Sequence, residues 1–383
     1  MTRRHLVLAG AGHAQLDLIA ALSRAPLPAW DVTLVTPQAD FLYSGLLPAV
    51  LAGSVQPAAA AISVSRIALA AGISVHVTSV VGLDVARRAL RLGSGDELRY
   101  DLLSLDVGST PAAMTVPGAA DHAFAMRPFA AALALNARIA EAIADSRPRS
   151  EVAVVVVGAG AAGVEVAFAL RARIAHAGRA ARVTLVDPAM TDGLPLHGFP
   201  PGFRRLARRA LFARGIELSP DTVRDVRHDG VRVDGPGRAR VIPSAATAWV
   251  TGPAAPPWLA SSGLACDARG YALADAHLAL DDDRTVFGGG DCVTLRDHPD
   301  TPKAGVFAVR MAPVLAANVL AAAHGAPPER TYVPQRDFLA LLSTGDGAAL
   351  LRWRGVALEA RWAQRLKMRI DESYLRRYRA LAT

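Results

Sequence analysis

Apolar residues along the chain follow two alternating rhythms. Some form short solid runs, and others recur at three- and four-residue spacing. Leu6-Val7-Leu8-Ala9 is a solid run that stops at Gly10-Ala11-Gly12. Leu16, Ile19, Ala20 and Leu22 then fall on one helical face, and Val32-Thr33-Leu34-Val35 is solid again. Solid runs suit strands covered on both faces, so the succession predicts a βαβ unit with parallel strands. The order returns at Val152–Val157, followed by Gly158-x-Gly160-x-x-Gly163, the helical positions Val164, Phe168, Leu170 and Ile174, and the strand Val183-Thr184-Leu185-Val186.

Between and beyond these units the pattern changes. Ile73–Val77, Ala89–Leu92 and Leu98–Tyr100 alternate and predict a small antiparallel meander. Leu102–Val107 reads as a buried strand stopped by Gly108-Ser109-Thr110-Pro111, and Ala248-Trp249-Val250 as another stopped by Thr251-Gly252. Two such stops suit the places where a chain crosses between domains. Helical spacing from Phe129 to Ile143 breaks at Arg147-Pro148-Arg149-Ser150. Arg204–Arg214 reads as a basic amphipathic helix with a solvated face, and 216–241 as short strands parted by Asp229-Gly230 and Gly235-Pro236-Gly237. Thr285-Val286-Phe287 is a short buried strand running into Gly288-Gly289-Gly290-Asp291. Thr301-Pro302 predicts a helix start with Thr as N-cap, continuing through Val306 and Leu320 with a kink at Pro313.

The chemistry sits at the glycine turns. A strand, a Gly-x-Gly turn and a helix let backbone approach a pyrophosphate that the helix N-terminus attracts. The second copy has all three glycines, and Asp187 ends its second strand 24 residues after Gly163, where a carboxylate holds a ribose diol. An acid there without a neighbouring Arg favours NADH over NADPH. The first copy departs twice: Gln15 fills the third position, which predicts looser helix–strand packing, and its second strand ends in Thr36-Pro37. A ribose contact then falls to Thr36 or Asp40. A turn closing on the single acid Asp291 suits a polyol acceptor, although such a turn can be just a turn. Tyr43-Ser44-Gly45-Leu46-Leu47-Pro48 reads either as a surface connection or as a segment beside a flat aromatic ligand. Glu165 is either an acid favoured by a helix dipole or a group beside the nicotinamide. Lys303 is either solvent-facing or, with the helix amides next to it, a positive end for a reduced flavin ring.

Composition narrows the class. The 383 residues are 52% hydrophobic and long enough for two cores. The formal net charge is +8, Arg-heavy and dispersed, without basic runs interleaved with aromatics. That favours acidic cofactors or an anionic membrane surface over nucleic acid. Two cysteines, Cys266 and Cys292, form no C-x-x-C pair, which suits a reducing compartment and excludes a redox disulfide. Met1-Thr2-Arg3-Arg4 before an apolar run mimics a signal peptide, but Gly10 and Asp17 interrupt it. A long uncharged stretch, 41–65, carries Pro48 and Pro57 and makes a poor membrane helix. In the tail, Arg361 to Arg379 holds seven Arg or Lys against Asp371 and Glu372. Trp362, Leu366, Ile370, Tyr374 and Tyr378 recur every four residues. Such a stripe lies in a membrane interface or docks on its own protein.

On these residues the chain resembles the two-dinucleotide flavoproteins of the pyridine nucleotide–disulfide oxidoreductase superfamily, over nearly its whole length. Within it the pattern is similar to type II NADH dehydrogenases. Ala9–Ala14, Tyr43–Pro48, Pro302–Arg310 and Arg336–Gly345 further resemble a subgroup found joined to selenophosphate synthetase. The resemblance implies an α/β fold of two Rossmann-like dinucleotide-binding domains, the second inserted in the first, plus a C-terminal α/β extension. The expected bounds are 1–118 and 251–328 for FAD, 119–250 for NAD(P)H, and 329–383 for the extension with its basic amphipathic helix.

Gly10, Gly12, His13, Ala14, Thr36, Ser44, Gly45, Val80, Gly108, Gly290, Asp291, Ala304 and Gly305 are the implied FAD contacts. Gly158, Gly160, Ala161, Gly163, Asp187 and Gly252 are the implied NADH contacts, and Lys303 and Glu165 the catalytic pair. No metal is assigned. Met311-Ala312 stand where type II enzymes carry Gln-Gly near the quinone. The implied activity is hydride transfer from NADH to FAD and onward to an acceptor, a quinone first. The alternatives are a small sulfur or selenium compound as substrate, or a flavin-binding redox sensor with little turnover. The expected place is the cytoplasm, with the C-terminal helix as a candidate contact to the inner face of the cell membrane.

Overall fold

A computed structural model describes residues 3–147, 150–235 and 238–382. Pro148-Arg149 and Pro236-Gly237, expected as breaker and turn, lie outside the described residues, as do Met1-Thr2. The first sheet takes β1 (Arg4–Ala9), β2 (Trp30–Thr36), β3 (Ser74–Val77) and β4 (Leu102–Leu105), with helix α1 (Leu16–Arg24) between β1 and β2. The chain then leaves to build a second sheet: β5 (Ala123–Ala125), β6 (Glu151–Val157), β7 (Ala180–Val186), β8 (Ile216–Ser219) and β9 (Ala246–Trp249). Helices α2 (Phe129–Asp145), α3 (Ala161–His176) and α4 (Pro201–Ala213) belong to that excursion. The chain returns with β10 (Val286–Gly288), β11 (Val293–Leu295) and α5 (Gly305–Ala323). It finishes with an antiparallel sheet of β12 (Ala340–Ser343), β13 (Ala349–Trp353) and β14 (Val356–Ala360), and the helix α6 (Arg361–Arg379).

The first sheet has the order β10-β4-β1-β2-β3 and the second β5-β9-β6-β7-β8, all parallel. In each, the strand before the glycine turn is central, so both turns open at the carboxyl edge of a buried sheet, where doubly wound folds bind ligands. Leu6–Ala9 and Val154–Val157 are almost wholly buried, as their solid apolar runs require. The two crossings meet: Thr110-Pro111 pairs antiparallel with Pro253-Ala254, and the Thr251 hydroxyl donates to the Ala112 carbonyl at 2.6 Å.

Two expectations are corrected. Ser74–Val77 is not part of the meander but the edge strand of the parallel sheet, bonded to β2. The meander instead comprises Val80–Asp84, Ala89–Leu92 and Glu97–Arg99. Helix α5 begins at Gly305 with Ala304 as extended N-cap, not at Thr301. The Thr301 hydroxyl donates back to the His298 carbonyl, and the Lys303 ammonium is tied to β11, which holds this segment extended. α5 then runs through Pro313 as one helix. It is long and apolar enough to span a membrane, and half of it is buried inside the protein.

The four-residue stripe of α6 does not stay on one face. Trp362 and Ile370 are 48% and 44% exposed, whereas Tyr378 is buried. Positions four apart advance about 40° around a helix of 3.6 residues per turn, so the stripe winds from solvent to core. The face that docks is Ala363, Lys367, Asp371, Leu375 and Tyr378, with an ion pair at its centre.

A Cβ on Gly163 would stand 1.8 Å from the Gly158 carbonyl, whereas one on Gly160 meets nothing. Gly163→Ala therefore lowers stability by about 1–3 kcal/mol through backbone displacement. Gly160→Ala stays within about 0.5 kcal/mol. Urea unfolding midpoints of the two variants check the contrast.

Candidate functional site

Both glycine turns are shaped by one contact. Gly10 has φ +93° and a Cβ there would sit 2.1 Å from the Asp106 carbonyl; Gly158 has φ +107° and would meet the Val250 carbonyl at 2.3 Å. In each sheet the central strand's turn therefore presses on the end of the crossing strand. The second turn is open: α3 is capped by Gly160 without a side chain on its amides, and a Cβ on Gly160 or Gly252 would meet nothing. Free amides at a helix N-terminus and a bare glycine surface fit a pyrophosphate. Ala161, the first residue of α3, is half-buried at that edge. Asp187 directly follows β7, accepting from the Ala159 amide at 2.7 Å and the Ala189 amide at 2.8 Å. It thus stands against the glycine turn, one carboxylate oxygen on that turn's own backbone.

The first turn differs. Gln15 does not loosen the packing, as its size predicts; it is wholly buried. Its amide donates to the Ser104 carbonyl at 3.2 Å and its oxygen accepts from the Ser104 hydroxyl at 2.7 Å. Room for it comes from a late helix start: α1 begins at Leu16, after the fingerprint, whereas α3 begins two residues before Gly163. The space beside Gly12 is taken by the Asp106 carboxyl, 2.6 Å from where a Gly12 Cβ would be and 2.4 Å from one on Gly290. That carboxyl accepts from the Gln15 backbone N–H at 2.9 Å. Burial, with the charge of Asp291 nearby, pushes its pKa up to about 7. The sequence pattern marked Asp106 only as a strand end. Its register, between a glycine turn and the Gly–Asp turn, is a property of the folded sheet.

Asp291 is buried and ion-paired with Arg127 Nη1 at 2.6 Å. The same Nη1 donates to the Ser109 hydroxyl at 2.5 Å. Arg127 is a site residue that nothing in its local sequence signals. A cleft beside Asp291 is lined by Gly290, Lys303, Ala304, Phe307 and Met311. The Met311 sulfur accepts from the Gly290 amide at 3.3 Å. Lys303 is neither solvent-facing nor free. Its ammonium donates to the Val293 carbonyl and to the Thr294 hydroxyl at 2.8 Å, and lies 4.3 Å from the Tyr271 ring centre. Burial lowers its pKa to about 8. The uncapped N-terminus of α5, at Ala304-Gly305, faces the same cleft.

Thr36 is buried and donates to the Gln38 carbonyl at 3.0 Å, while Asp40 is exposed. Val80 follows the end of β3, which pairs with Thr36. Gly108 has φ +70° and open space around it. Ala14 is buried under the first turn; a Cβ on Gly289 would reach its side chain at 2.9 Å. Ser44 is exposed. The Gly45 carbonyl accepts from the Lys367 ammonium at 2.6 Å, and that ammonium also pairs with Asp371 at 2.9 Å. The Tyr43 hydroxyl donates to the other Asp371 oxygen at 2.9 Å. The 43–48 segment is therefore no loose connection: α6 clamps it, and Leu47 packs in the second core beside Val164 and Phe168. Glu165 accepts from the Ser343 amide at 2.8 Å; burial pushes its pKa up to about 7 while Lys367 pulls it down. His13 is drawn into the same region, 2.6 Å from the Tyr374 hydroxyl, and burial lowers its pKa to about 4.

These features agree with known proteins. A family model described as pyridine nucleotide-disulphide oxidoreductase matches residues 4–317. Among characterised relatives, demethylphylloquinone reductase NdbB of Synechocystis is 23% identical over 338 residues, 86% of this chain and 80% of that protein. The external NADH-ubiquinone oxidoreductase 2 of Saccharomyces cerevisiae is 28% identical, and the match spans 45% of this chain but only 34% of that protein. Among solved structures, the sulfide:quinone oxidoreductase of Aquifex aeolicus superposes with TM-score 0.80 at 18% identity, over 99% of this chain and 92% of that one. NDH2 of Plasmodium falciparum, solved with NADH, gives 0.80 at 12% identity over 100% and 97%. At those identities the structures share the fold.

Asp106 yields a pH signature. Its carboxyl is protonated in the folded chain up to about pH 7 but ionised above about 4 when unfolded. A raised acid pKa means the folded state holds the extra proton, so its contribution is present at low pH and lost as pH rises through 7. Asp106→Asn keeps the shape and removes the titration. Its melting temperature relative to the parent rises between pH 4 and pH 7 and levels off above, by the equivalent of roughly 4 kcal/mol.

Proposed function

The chain belongs to the pyridine nucleotide-disulphide oxidoreductase family, and on that basis we propose that it oxidises NADH through bound FAD and passes the electrons to a quinone. The carrying observation is the pair of like-built glycine turns, each at the carboxyl edge of a five-stranded parallel sheet, joined by the paired crossings. One turn would hold the nicotinamide dinucleotide and the other the flavin dinucleotide. Flavin, when bound, supplies the hydride acceptor and two-electron carrier.

The residues act by position and charge. Gly158, Gly160 and Gly163 with the α3 amides would take the nucleotide pyrophosphate, and Asp187 its ribose diol. Gly10, Gly12 and Gly290 would form the bare surface under the flavin pyrophosphate, and Asp291, turned from Arg127, would accept from the ribityl hydroxyls. The free amides of α5 would offset negative charge at the reduced ring's carbonyl end. Lys303 supports this at one remove, since its ammonium is bonded to β11. Glu165, poised near neutrality, would stand near the nicotinamide and be able to hold or release a proton there.

We read the acceptor as a quinone rather than a small polar sulfur or selenium compound. The named quinone reductases among the relatives support the same choice. The narrower kinship, to the subgroup joined to selenophosphate synthetase, rests on the sequence motifs. Contact with a membrane surface is supported by Trp362 and Ile370, exposed on α6 together with Arg361, Arg365 and Arg369.

Anaerobic NADH bleaches the flavin's visible band and a water-soluble quinone restores it; flavin that neither nucleotide reduces would refute the reading. Asp187→Arg shifts the kcat/KM ratio of NADH to NADPH toward NADPH by at least about tenfold, because the acid that accepts a 2′-hydroxyl repels a 2′-phosphate.

A further inference from the structure

The two sheets place different residues at one equivalent position. Asp106 directly follows β4 and Val250 directly follows β9, and the carbonyl of each is the one that its sheet's glycine turn presses on. The next glycine of each turn shows what their side chains do. A Cβ on Gly160 meets nothing, so Val250 leaves the second turn bare. A Cβ on Gly12 would fall 2.6 Å from Asp106 Cγ and from both carboxyl oxygens, and Oδ1 also fills the place of a Cβ on Gly290. The carboxyl thus stands between the two backbone surfaces that would lie under the flavin pyrophosphate. Its Oδ2 takes the Gln15 backbone N–H at the head of α1, whereas the α3 amides carry no side chain.

An ionised carboxyl is a poor lining for a phosphate, because like charges in close contact repel strongly in a water-poor site. Among the described residues no Lys, Arg or His is ion-paired with Asp106 to offset that repulsion. Asp106 is faced by Asp291 from the Gly–Asp turn, by Cys292 next to it and by Tyr374 from α6. Asp291 is negative and already paired with Arg127. Burial pushes the Cys292 thiol up to about 12 and raises the Tyr374 hydroxyl as well, so both are neutral. On Asp106 itself burial favours the neutral acid, the Gln15 N–H the ionised form and Asp291 the neutral acid again, which leaves it balanced at about 7. As a neutral acid it keeps an O–H, and a phosphate oxygen accepts such a proton.

We propose that the first turn takes the FAD pyrophosphate with Asp106 as a neutral acid, so that loading this turn takes up one proton wherever the carboxyl was ionised. This rests on the reading of the first turn as the flavin site. The proton comes from water and goes to the carboxyl, and no bond of the flavin changes. The ligand's charge raises the Asp106 pKa further, so affinity is full below about pH 7 and falls as pH rises above it. The second turn, with Val250 in the same place, has no such link.

The test follows flavin release from the loaded protein, diluted into buffers from pH 6 to pH 9 and ultrafiltered, with free FAD read by its fluorescence. In the parent the dissociation constant rises at least about tenfold across that range. In Asp106→Asn, which keeps the shape, and in Asp106→Val, which copies Val250, it changes by less than about threefold. A level constant in the parent overturns the proposal. So do variants that keep the parent's rise, which then belongs to another group such as Lys303 or Glu165. If neither variant retains flavin, proton counting on the parent decides. Its flavin, released into weakly buffered solution with a pH indicator, sets free close to one proton per flavin at pH 8 and almost none at pH 5. No proton at either pH overturns the proposal. A protein that holds no flavin at any pH refutes the flavoprotein reading, and the proposal falls with it.

Discussion

The arrangement depends on backbone touching backbone. Gly10 presses on the Asp106 carbonyl and Gly158 on the Val250 carbonyl, in each case so closely that no side chain fits. That contact sets how near the glycine turn lies to the crossing strand, and hence how wide the carboxyl edge of each sheet opens. Everything placed at those edges inherits the spacing. Asp187 reaches the Ala159 amide, Asp106 fills the gap between Gly12 and Gly290, and Asp291 meets Arg127 across the cleft.

Much of this was legible in the chain. Solid apolar runs before Gly10 and Gly158 identified central parallel strands because burial on both faces leaves no polar alternation. Gly158, Gly160, Gly163 and Asp187 announced a dinucleotide turn because each position has its own steric reason. What escaped reading involves partners distant in sequence. Arg127 matters only because it reaches Asp291, and Asp106 only because β4 ends under two glycine turns. Gln15 looked disruptive because its hydrogen-bond partner, Ser104, lies on another strand. The extended segment before α5 defeated a sound capping rule because a lysine far better satisfied by β11 holds it straight.

Helix α6 docks by a face that its aromatic spacing marks only in part. Its aromatic residues caught attention through their spacing, yet the docking face is built round Lys367 and Asp371. A buried ion pair of this kind contributes little net stability by itself but tolerates few alternative registers. Because Lys367 also grips the Gly45 carbonyl and Tyr43 grips Asp371, the helix is indexed against the segment that touches both cores.

The pairing of Thr110-Pro111 with Pro253-Ala254 has a mechanical meaning. Two separate tethers would let the inserted sheet swing and twist independently against its host. Zipped into one ribbon, they behave as a single strap. Together with Leu47, which packs in the second core, this strap resists twist of one glycine-turn edge against the other. A reaction that needs two flat rings stacked face to face is served by such a joint, since it preserves their registry.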